Sequence, residues 1–326
     1  MKTIKIIVDS TCDLPKQICE KYNIDVIPLI ISILNKEYRD CIDIMPEEFY
    51  GMLKNLEKLP TTAMPSPDAF MKSYEKAKSE GNKEIICICM SSGTSGTYQS
   101  AVLGREYFLE NNSDVEVYVL DSKCMSHGSG YLALKATEMI EDGKSYLEIV
   151  DFLEKYKKRV KHFLSVDDLN NLIKSGRLTN VSAMIGKILR VKPIMSMRDG
   201  KGAIVAKVRG RKQVFKHYLE EFNRRVDLEM TNFIIIGYSS DIEVAKELEK
   251  KLRENINEDI KIYIMQMGIS VGTHVGLGGL SMYFIEKGNI HDGILTNRVR
   301  KGIDKLEETK HKLEEKKNEL LKNKKI

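Results

Sequence analysis

The 326-residue sequence contains no tryptophan, and aromatic residues make up only 7% of it. This composition disfavours an aromatic stacking surface of the kind that binds single-stranded nucleic acid. No apolar run approaches the roughly 18 residues that a membrane-spanning helix needs. The opening residues, MKTIKIIVDST, lead directly into a strand-like run without the pattern of a signal peptide. These absences favour a soluble globular protein of the cytoplasm.

Motifs for metals, disulfides and nucleotides are also absent. The six cysteines form no Cys-x-x-Cys pair and have no histidine at a zinc-ligand spacing, and Cys87 and Cys89 are expected to be buried thiols. The P-loop pattern Gly-x4-Gly-Lys-Ser/Thr occurs nowhere, and the dinucleotide fingerprint does not follow the first strand. We therefore predict a reduced protein without a metal or cofactor of its own.

Excess positive charge is confined to the end of the chain. The formal net charge is +5, and residues 298–326 carry 11 Lys and Arg against 6 Asp and Glu, so the rest is neutral. A neutral body lacks the basic surface of a nucleic-acid-binding protein. Leu306, Leu313 and Leu320 recur every seven residues, a stripe too thin for a coiled coil. We predict a charged helical extension over 289–326; the alternative is a contact with a partner or, transiently, with an anionic membrane.

The first half of the chain alternates buried strands with helices. Such alternation is typical of βαβ crossovers and predicts a largely parallel sheet. Asp13 is a candidate N-cap, Ser66 another, and Gly81 is expected to close a helix. Strands are predicted at 3–11, 24–33, 83–92 and 115–123, and helices at 13–23, 47–59, 66–81, 96–111 and 128–142.

The second half of the chain has a different pattern. A hairpin is predicted at 193–210, with Asp199 and Gly200 in its turn, and the strands become more antiparallel. The predicted fold class is therefore α/β with two domains. The N-terminal domain, 1–160, has a largely parallel sheet with helices, and the smaller C-terminal α/β domain, 161–288, has antiparallel strands.

Small hydroxyls and glycines follow one of the predicted strands, in the segment CMSSGTSGTYQSA at 89–101. The strands that end in VDST and LDSK are followed by similar residues. Because ligands of parallel sheets bind beyond the carboxyl ends of the strands, we expect these segments to wall one crevice. Such a crevice suits a nucleophile, a phosphate at a helix N-terminus, or a carboxylate that is bound without reacting.

A nucleophilic serine in this segment, Ser91, Ser92 or Ser95, would need a base such as histidine. The segment lacks the Gly-x-Ser-x-Gly pattern of a nucleophile elbow. His127 and His274 are placed in loops after predicted strands, so either stays open as a base.

Seven short motifs, taken together, are more specific than any of these single patterns. They are IIVDSTCDLP at the start, TTAMPSP at 61–67, SSGTSGTYQSA at 91–101, DSKCMSHGSG at 121–130, LIKSGRL at 172–178, VRGRK at 208–212 and GTHVGLGGL at 272–280. With these motifs, in this order, the sequence resembles the DegV family over residues 3–287. Members of that family bind long-chain fatty acids, and some are acyl-binding subunits of bacterial fatty acid kinase.

The resemblance implies a DegV-like fold with an acyl chain buried between two α/β domains. It implies that Thr62 and Ser95 hold the carboxylate of the fatty acid, with His274 near the head group. Gly96 and Ser126 are candidates for the mouth of the pocket. The sequence departs from the family pattern at 63–64, where Ala-Met replaces Ser-Gln, and at Thr94, which replaces Leu.

The resemblance also implies a partner. Arg177 and Arg209 match the arginines that face a kinase, with Arg211 as a competitor for the second position. The expected function is to bind a long-chain fatty acid and to present its carboxylate to a fatty acid kinase subunit, which supplies ATP and magnesium. One alternative is a lipid carrier or sensor without a kinase partner. Another is a stand-alone hydrolase or kinase that uses the serine-lined crevice.

Overall fold

The computed structural model describes residues 4–179, 191–256 and 260–288, which form an α/β structure with three sheets. The strands are β1 (Ile4–Asp9), β2 (Ile24–Ile27), β3 (Ile30–Ile33), β4 (Lys36–Arg39), β5 (Thr61–Ala63), β6 (Glu84–Cys89), β7 (Glu116–Asp121), β8 (Val160–Ser165), β9 (Leu178–Thr179), β10 (Val191–Arg198), β11 (Lys201–Arg209), β12 (Phe233–Tyr238), β13 (Lys261–Gln266) and β14 (Leu280–Ile285). The helices are α1 (Lys16–Lys21), α2 (Pro46–Leu53), α3 (Pro67–Ser79), α4 (Thr97–Leu109), α5 (His127–Glu141), α6 (Tyr146–Tyr156), α7 (Asn170–Lys174), α8 (Arg211–Arg225), α9 (Ile242–Asn255) and α10 (Ile269–Val275).

The first sheet is parallel throughout, in the order β2-β1-β6-β7, as the sequence predicts. Parallel strands are covered by helices on both faces, and this explains why β1 and β6 read as nearly continuous apolar runs. Their side chains belong to two cores, one shared with α5 and α6 and the other with α3 and α4. Cys87 and Cys89 are fully buried in this sheet, as predicted.

The second sheet is rich in antiparallel pairs, in the order β13-β12-β14-β8-β10-β11-β9. The predicted hairpin is confirmed as β10–β11. Its turn residues Asp199 and Gly200 have φ angles of 50° and 76°, as a type I′ turn requires. The predicted domain boundary at 160 coincides with the start of β8, but α5 contacts strands of both sheets. The division into 1–160 and 161–288 therefore stays a prediction.

The predicted strand at 24–33 is wrong as a single element. Pro28 has no backbone N–H to donate to a ladder, and the chain leaves the first sheet there. Strand β2 pairs with β1, whereas β3 forms a small antiparallel sheet of order β4-β3-β5. This third sheet matters for the site because β5 carries Thr62.

Two further predictions are corrected. Asp13 does not cap α1: its backbone is left-handed (φ 54°), Pro15 is the N-cap residue, and the Asp13 side chain is buried. The glycine-rich segment at 272–280, expected as a loop, begins inside the short helix α10, which therefore carries His274. The predicted helical extension at 289–326 lies outside the described residues. Among the described helices, none combines the length and apolar character that crossing a bilayer would demand.

Candidate ligand-binding site

A cavity of about 150 Å³ lies where the loops after β1 and β6 meet β5 and helix α10. One part of its lining carries hydroxyl groups, and the rest is made of methionine and aliphatic side chains. Among the described residues that line it, Arg177 is the only one with a permanent charge, so this lining favours an anion. Its hydroxyl residues are Thr11, Thr62, Thr94, Ser95 and Ser270, and its apolar residues are Leu29, Met64, Met90, Met125, Val271 and Val275.

Thr62 and His274 meet in this cavity although 212 positions separate them in the sequence. Thr62 lies in β5, where it pairs with Ile31, and His274 lies in the last turn of α10. Thr62 Oγ1 and His274 Nε2 are 3.1 Å apart, which is hydrogen-bond distance. If the ring proton is on Nε2, the imidazole donates to Thr62 Oγ1, and the threonine O–H is free to donate to a ligand.

His274 is neutral at physiological pH. Burial lowers its pKa to about 4, and the positive charge of Arg177 lowers it further in the same direction. A neutral imidazole has one donor and one acceptor nitrogen, so it orients Thr62 without adding charge. Within the described part of the lining, the positive charge is therefore that of Arg177.

Ser95 lies one residue before Gly96, the N-cap residue of α4. The loop that precedes it is turned back on itself, because the backbone N–H groups of Thr94 and Ser95 both donate to the Ser91 carbonyl. Ser95 Oγ is 2.8 Å from Thr97 Oγ1 and accepts from the Thr97 N–H. Ser95 thus combines a hydroxyl with the N-terminus of a helix, where the dipole favours an anion.

Two carboxylates at strand ends hold this loop. Asp9, at the end of β1, accepts from the Met90 N–H at 2.7 Å. Asp121, at the end of β7, accepts from the Ser92 N–H at 3.1 Å and from the Ser92 hydroxyl. The acidic and hydroxyl residues at the strand ends therefore fix the backbone around Ser95, a role that their sequence pattern does not reveal.

The cavity brings together five of the seven sequence-predicted site residues and leaves two elsewhere. Gly96 lines it, and the half-exposed Met64 packs its thioether against Gly96 at the mouth. Ser126 is absent from the lining: it is buried, and its hydroxyl donates to Asp13 Oδ2 at 2.5 Å. Arg209 lies at the exposed end of β11, outside the lining.

Arg177 lines the cavity with a half-buried side chain. The partner-facing role that the resemblance implies for it and for Arg209 stays a prediction. One Nη atom of Arg177 donates to the Ser175 carbonyl, which fixes the guanidinium near His274. Arg177 thus belongs to the same site as Thr62 and Ser95. Arg211, the competitor for the position assigned to Arg209, is exposed at the start of α8.

Ser126 and His127 are in contact but are not arranged as part of a catalytic triad. Ser126 Oγ lies 3.2 Å from His127 Nδ1, but the Asp13 carboxylate accepts from the serine hydroxyl, and only the Asp13 backbone bonds to the histidine. Burial lowers the pKa of His127 to about 3. A Ser-His-Asp triad needs the opposite connection, with the carboxylate on the histidine. Within the described ranges, no group of three His, Cys, Asp or Glu residues is arranged to hold a metal ion.

The fold and the site define an α/β protein with a hydroxyl-lined cavity, and the comparisons assign the chain to a family. A family profile described as "Uncharacterised protein, DegV family" matches residues 3–287. A DegV domain-containing protein of Clostridium acetobutylicum is 38% identical over 288 residues, which cover 88% of this chain and 100% of that protein. The chain therefore belongs to the DegV family.

Solved structures have the same fold. DegV of Bacillus subtilis, described as a fatty acid binding protein, is 30% identical with a TM-score of 0.74, and the match covers 88% of this chain and 100% of that one. The fatty acid kinase B3 protein of Streptococcus pneumoniae, loaded with linoleic acid, is 22% identical with a TM-score of 0.75, over 87% of this chain and 99% of that one. The second likeness concerns the fold alone.

Proposed function

We propose that this protein binds a long-chain fatty acid whose carboxylate lies between Thr62 and Ser95. The observation that carries the proposal is the meeting of Thr62, His274 and Ser95 in a cavity whose described lining includes the positively charged Arg177. Hydroxyl and helix-terminal N–H donors suit a carboxylate, and bonds to a charged group contribute about 1.5–3 kcal/mol each. The similar DegV protein of Bacillus subtilis is described as a fatty acid binding protein, and this supports a fatty acid as the ligand.

The acyl chain needs more room than the cavity offers. Ligand pockets usually enclose roughly 300–1,000 Å³, whereas this one has about 150 Å³. Val271 and Val275 belong both to the cavity lining and to an apolar core that includes Leu172, Met195 and Ile204. We place the acyl chain between the cavity and this core, where flexible methionines such as Met195 can repack around it.

The free energy of burying methylene groups supports an enclosed site for the acyl chain. Each buried methylene contributes about 0.8 kcal/mol, so fifteen contribute on the order of 12 kcal/mol. A lipid that leaves a bilayer gives up a similar amount, so only an enclosed apolar site makes the transfer nearly neutral. The hydroxyl pair then determines orientation more than affinity.

Mass spectrometry tests the ligand directly. The purified protein is extracted with organic solvent, and the extract is expected to contain fatty acids of roughly 14–18 carbons, the length that the methylene arithmetic favours. A protein that carries no lipid, and that also fails to take up added palmitate or oleate, would refute the proposal.

We further propose that the bound carboxylate is presented to a fatty acid kinase subunit. Met64 is half exposed where it covers Gly96, so the polar end of the cavity lies close to the surface. Arg209 is exposed and offers a planar fork for a carboxylate or phosphate of a partner. The protein itself then holds and orients the acid, and the partner supplies ATP and magnesium.

Acyl-phosphate formation tests this partnership. Loaded protein is mixed with the kinase subunit of the same organism and ATP-magnesium, and acyl phosphate is trapped with hydroxylamine as the hydroxamate. Product that depends on both proteins is the expected result. Lipid binding without any product would favour the carrier or sensor function.

A further inference from the structure

A buried aspartate outside the cavity, Asp40, is bonded to the helix that carries His274. Its side chain is only 1% exposed and follows β4, far from α10 in the sequence. Asp40 Oδ1 accepts from the Ile269 N–H at 3.2 Å, and Oδ2 accepts from the Ser270 N–H at 3.3 Å. The carboxylate therefore caps the first turn of α10 from another part of the chain.

Asp40 is itself held in place. Ser10 Oγ, just after β1, donates to Asp40 Oδ2 at 2.8 Å and accepts from the Leu29 N–H at 3.0 Å. The Asp40 N–H donates to the Leu29 carbonyl at 2.9 Å. Ser10, Leu29 and Asp40 thus form a closed group of hydrogen bonds that ties α10 to the end of β1 and to the third sheet.

Helix α10 depends on such external bonds because it is short. It has seven residues, and the first four N–H groups of a helix have no partner within it. A helix of this length is not stable by itself. Gly272 limits its rotation: a Cβ there would lie 2.3 Å from Tyr50 Oη, and that hydroxyl donates to the Met267 carbonyl.

We propose that Asp40 is a positioning residue, whose carboxylate sets the rotation and axial position of α10 so that His274 stays in contact with Thr62. The proposal rests on the proposed function, because the value of that contact lies in orienting a bound carboxylate. Ser270, Val271 and Val275 of the same helix line the cavity, so a shift of α10 would change its polar and apolar walls together.

Asp40→Asn is the test substitution. The amide keeps the size of the side chain but has one oxygen instead of two, so its NH₂ group would face a backbone N–H of α10. We expect fatty acid affinity to fall about tenfold, because small misplacements of a binding group are costly. Asp43→Asn is the matched control: Asp43 is exposed, bonds to Arg39 and does not touch α10.

The ionisation of His274 gives a readout that a general loss of stability would not move. Its pKa of about 4 depends on burial and on Arg177, so a displaced α10 should let it rise towards the ordinary value of 6.5. NMR titration of the histidine side chains in lipid-free protein measures this pKa, with His274→Gln to assign the signal. We expect a rise in Asp40→Asn and no change in Asp43→Asn.

The outcomes separate this proposal from the function on which it rests. An unchanged His274 pKa in folded Asp40→Asn overturns the positioning role, whatever the affinity. If His274→Ala binds fatty acid with wild-type affinity, His274 has no role in binding the ligand. The histidine titration of lipid-free Asp40→Asn still decides, in that case, whether Asp40 positions α10. If Asp40→Asn does not fold, Ser10→Ala replaces it, because this variant removes one hydrogen bond to Asp40 Oδ2. We expect the pKa of His274 to rise in Ser10→Ala as well, and an unchanged pKa would overturn the proposal.

Discussion

Thr62 and Ser95 reach the cavity from different elements, and each offers one hydroxyl to it. We expect Thr62→Ala combined with Ser95→Ala to leave the fold intact and to weaken fatty acid binding at least about tenfold, because a carboxylate would lose two donors in a water-poor site. Titration with a fluorescent fatty acid measures the affinity, and circular dichroism checks the fold. Unchanged affinity in the folded double variant would show that the carboxylate binds elsewhere.

His274 also makes stability depend on pH. Its folded-state pKa of about 4 lies below the value of 6.5 for a free histidine. Between these two values the unfolded chain binds a proton that the folded chain does not, so stability is lost as the pH falls from 6.5 towards 4. We expect the drop in melting temperature between pH 7 and pH 5 to be smaller in His274→Gln than in the wild type.

Buried histidines elsewhere provide the control for that measurement. Burial also lowers the pKa values of His127 and His162 to about 3, so the wild type should be acid-sensitive through all three residues. The His274→Gln variant should therefore keep part of the pH dependence. An identical pH dependence in variant and wild type would mean that His274 is not buried in solution.

At the scale of elements, the two predicted arginines divide between different structures. Arg209 lies at the exposed end of β11, whereas Arg177 follows α7 and lines the cavity. We expect Arg209→Ala to keep bound lipid and a normal melting temperature, since replacing an exposed side chain usually costs under about 0.5 kcal/mol. It should nevertheless lose acyl-phosphate formation with the kinase subunit.

Arg177→Ala is expected to behave differently. Removing this positive charge from the cavity should weaken fatty acid binding and raise the pKa of His274, because the arginine helps to lower that pKa. Affinity measurements and the histidine titration check both effects. If Arg177→Ala binds lipid as well as the wild type does, the partner-facing role that the sequence suggests for Arg177 is favoured instead.

The elements themselves were predictable where local patterns determine them. The parallel sheet followed from apolar runs separated by helices, and the β10–β11 hairpin followed from Asp199-Gly200. The third sheet and α10 were missed because both depend on tertiary contacts: Pro28 redirects a continuous apolar run, and Asp40 caps a helix more than two hundred residues away. The pairing of Thr62 with His274 has no local signal either, and only the resemblance to a family indicated it.

At the scale of the whole molecule, the chain extends 38 residues beyond the last described one, residue 288. The family match ends at residue 287. We expect a protein truncated after residue 297 to keep its bound lipid and its melting temperature, because the leucine stripe of the basic tail from residue 298 is too thin to form a core. Precipitation of the truncated protein, or loss of its lipid, would show that the tail is part of the folded body.

Helix α5 is buried against strands of both large sheets, and Tyr131 connects it to β12 of the second sheet: its hydroxyl donates to the Phe233 carbonyl at 2.9 Å, and the two rings are 4.3 Å apart. We therefore expect that residues 1–160 do not fold on their own. Produced without its C-terminal half, residues 1–160 would present Tyr131 and the neighbouring apolar face of α5 to water, and we expect that fragment to aggregate. Co-expression with the complementary fragment, 161–326, should restore solubility, so the two halves behave as obligate complements of one another.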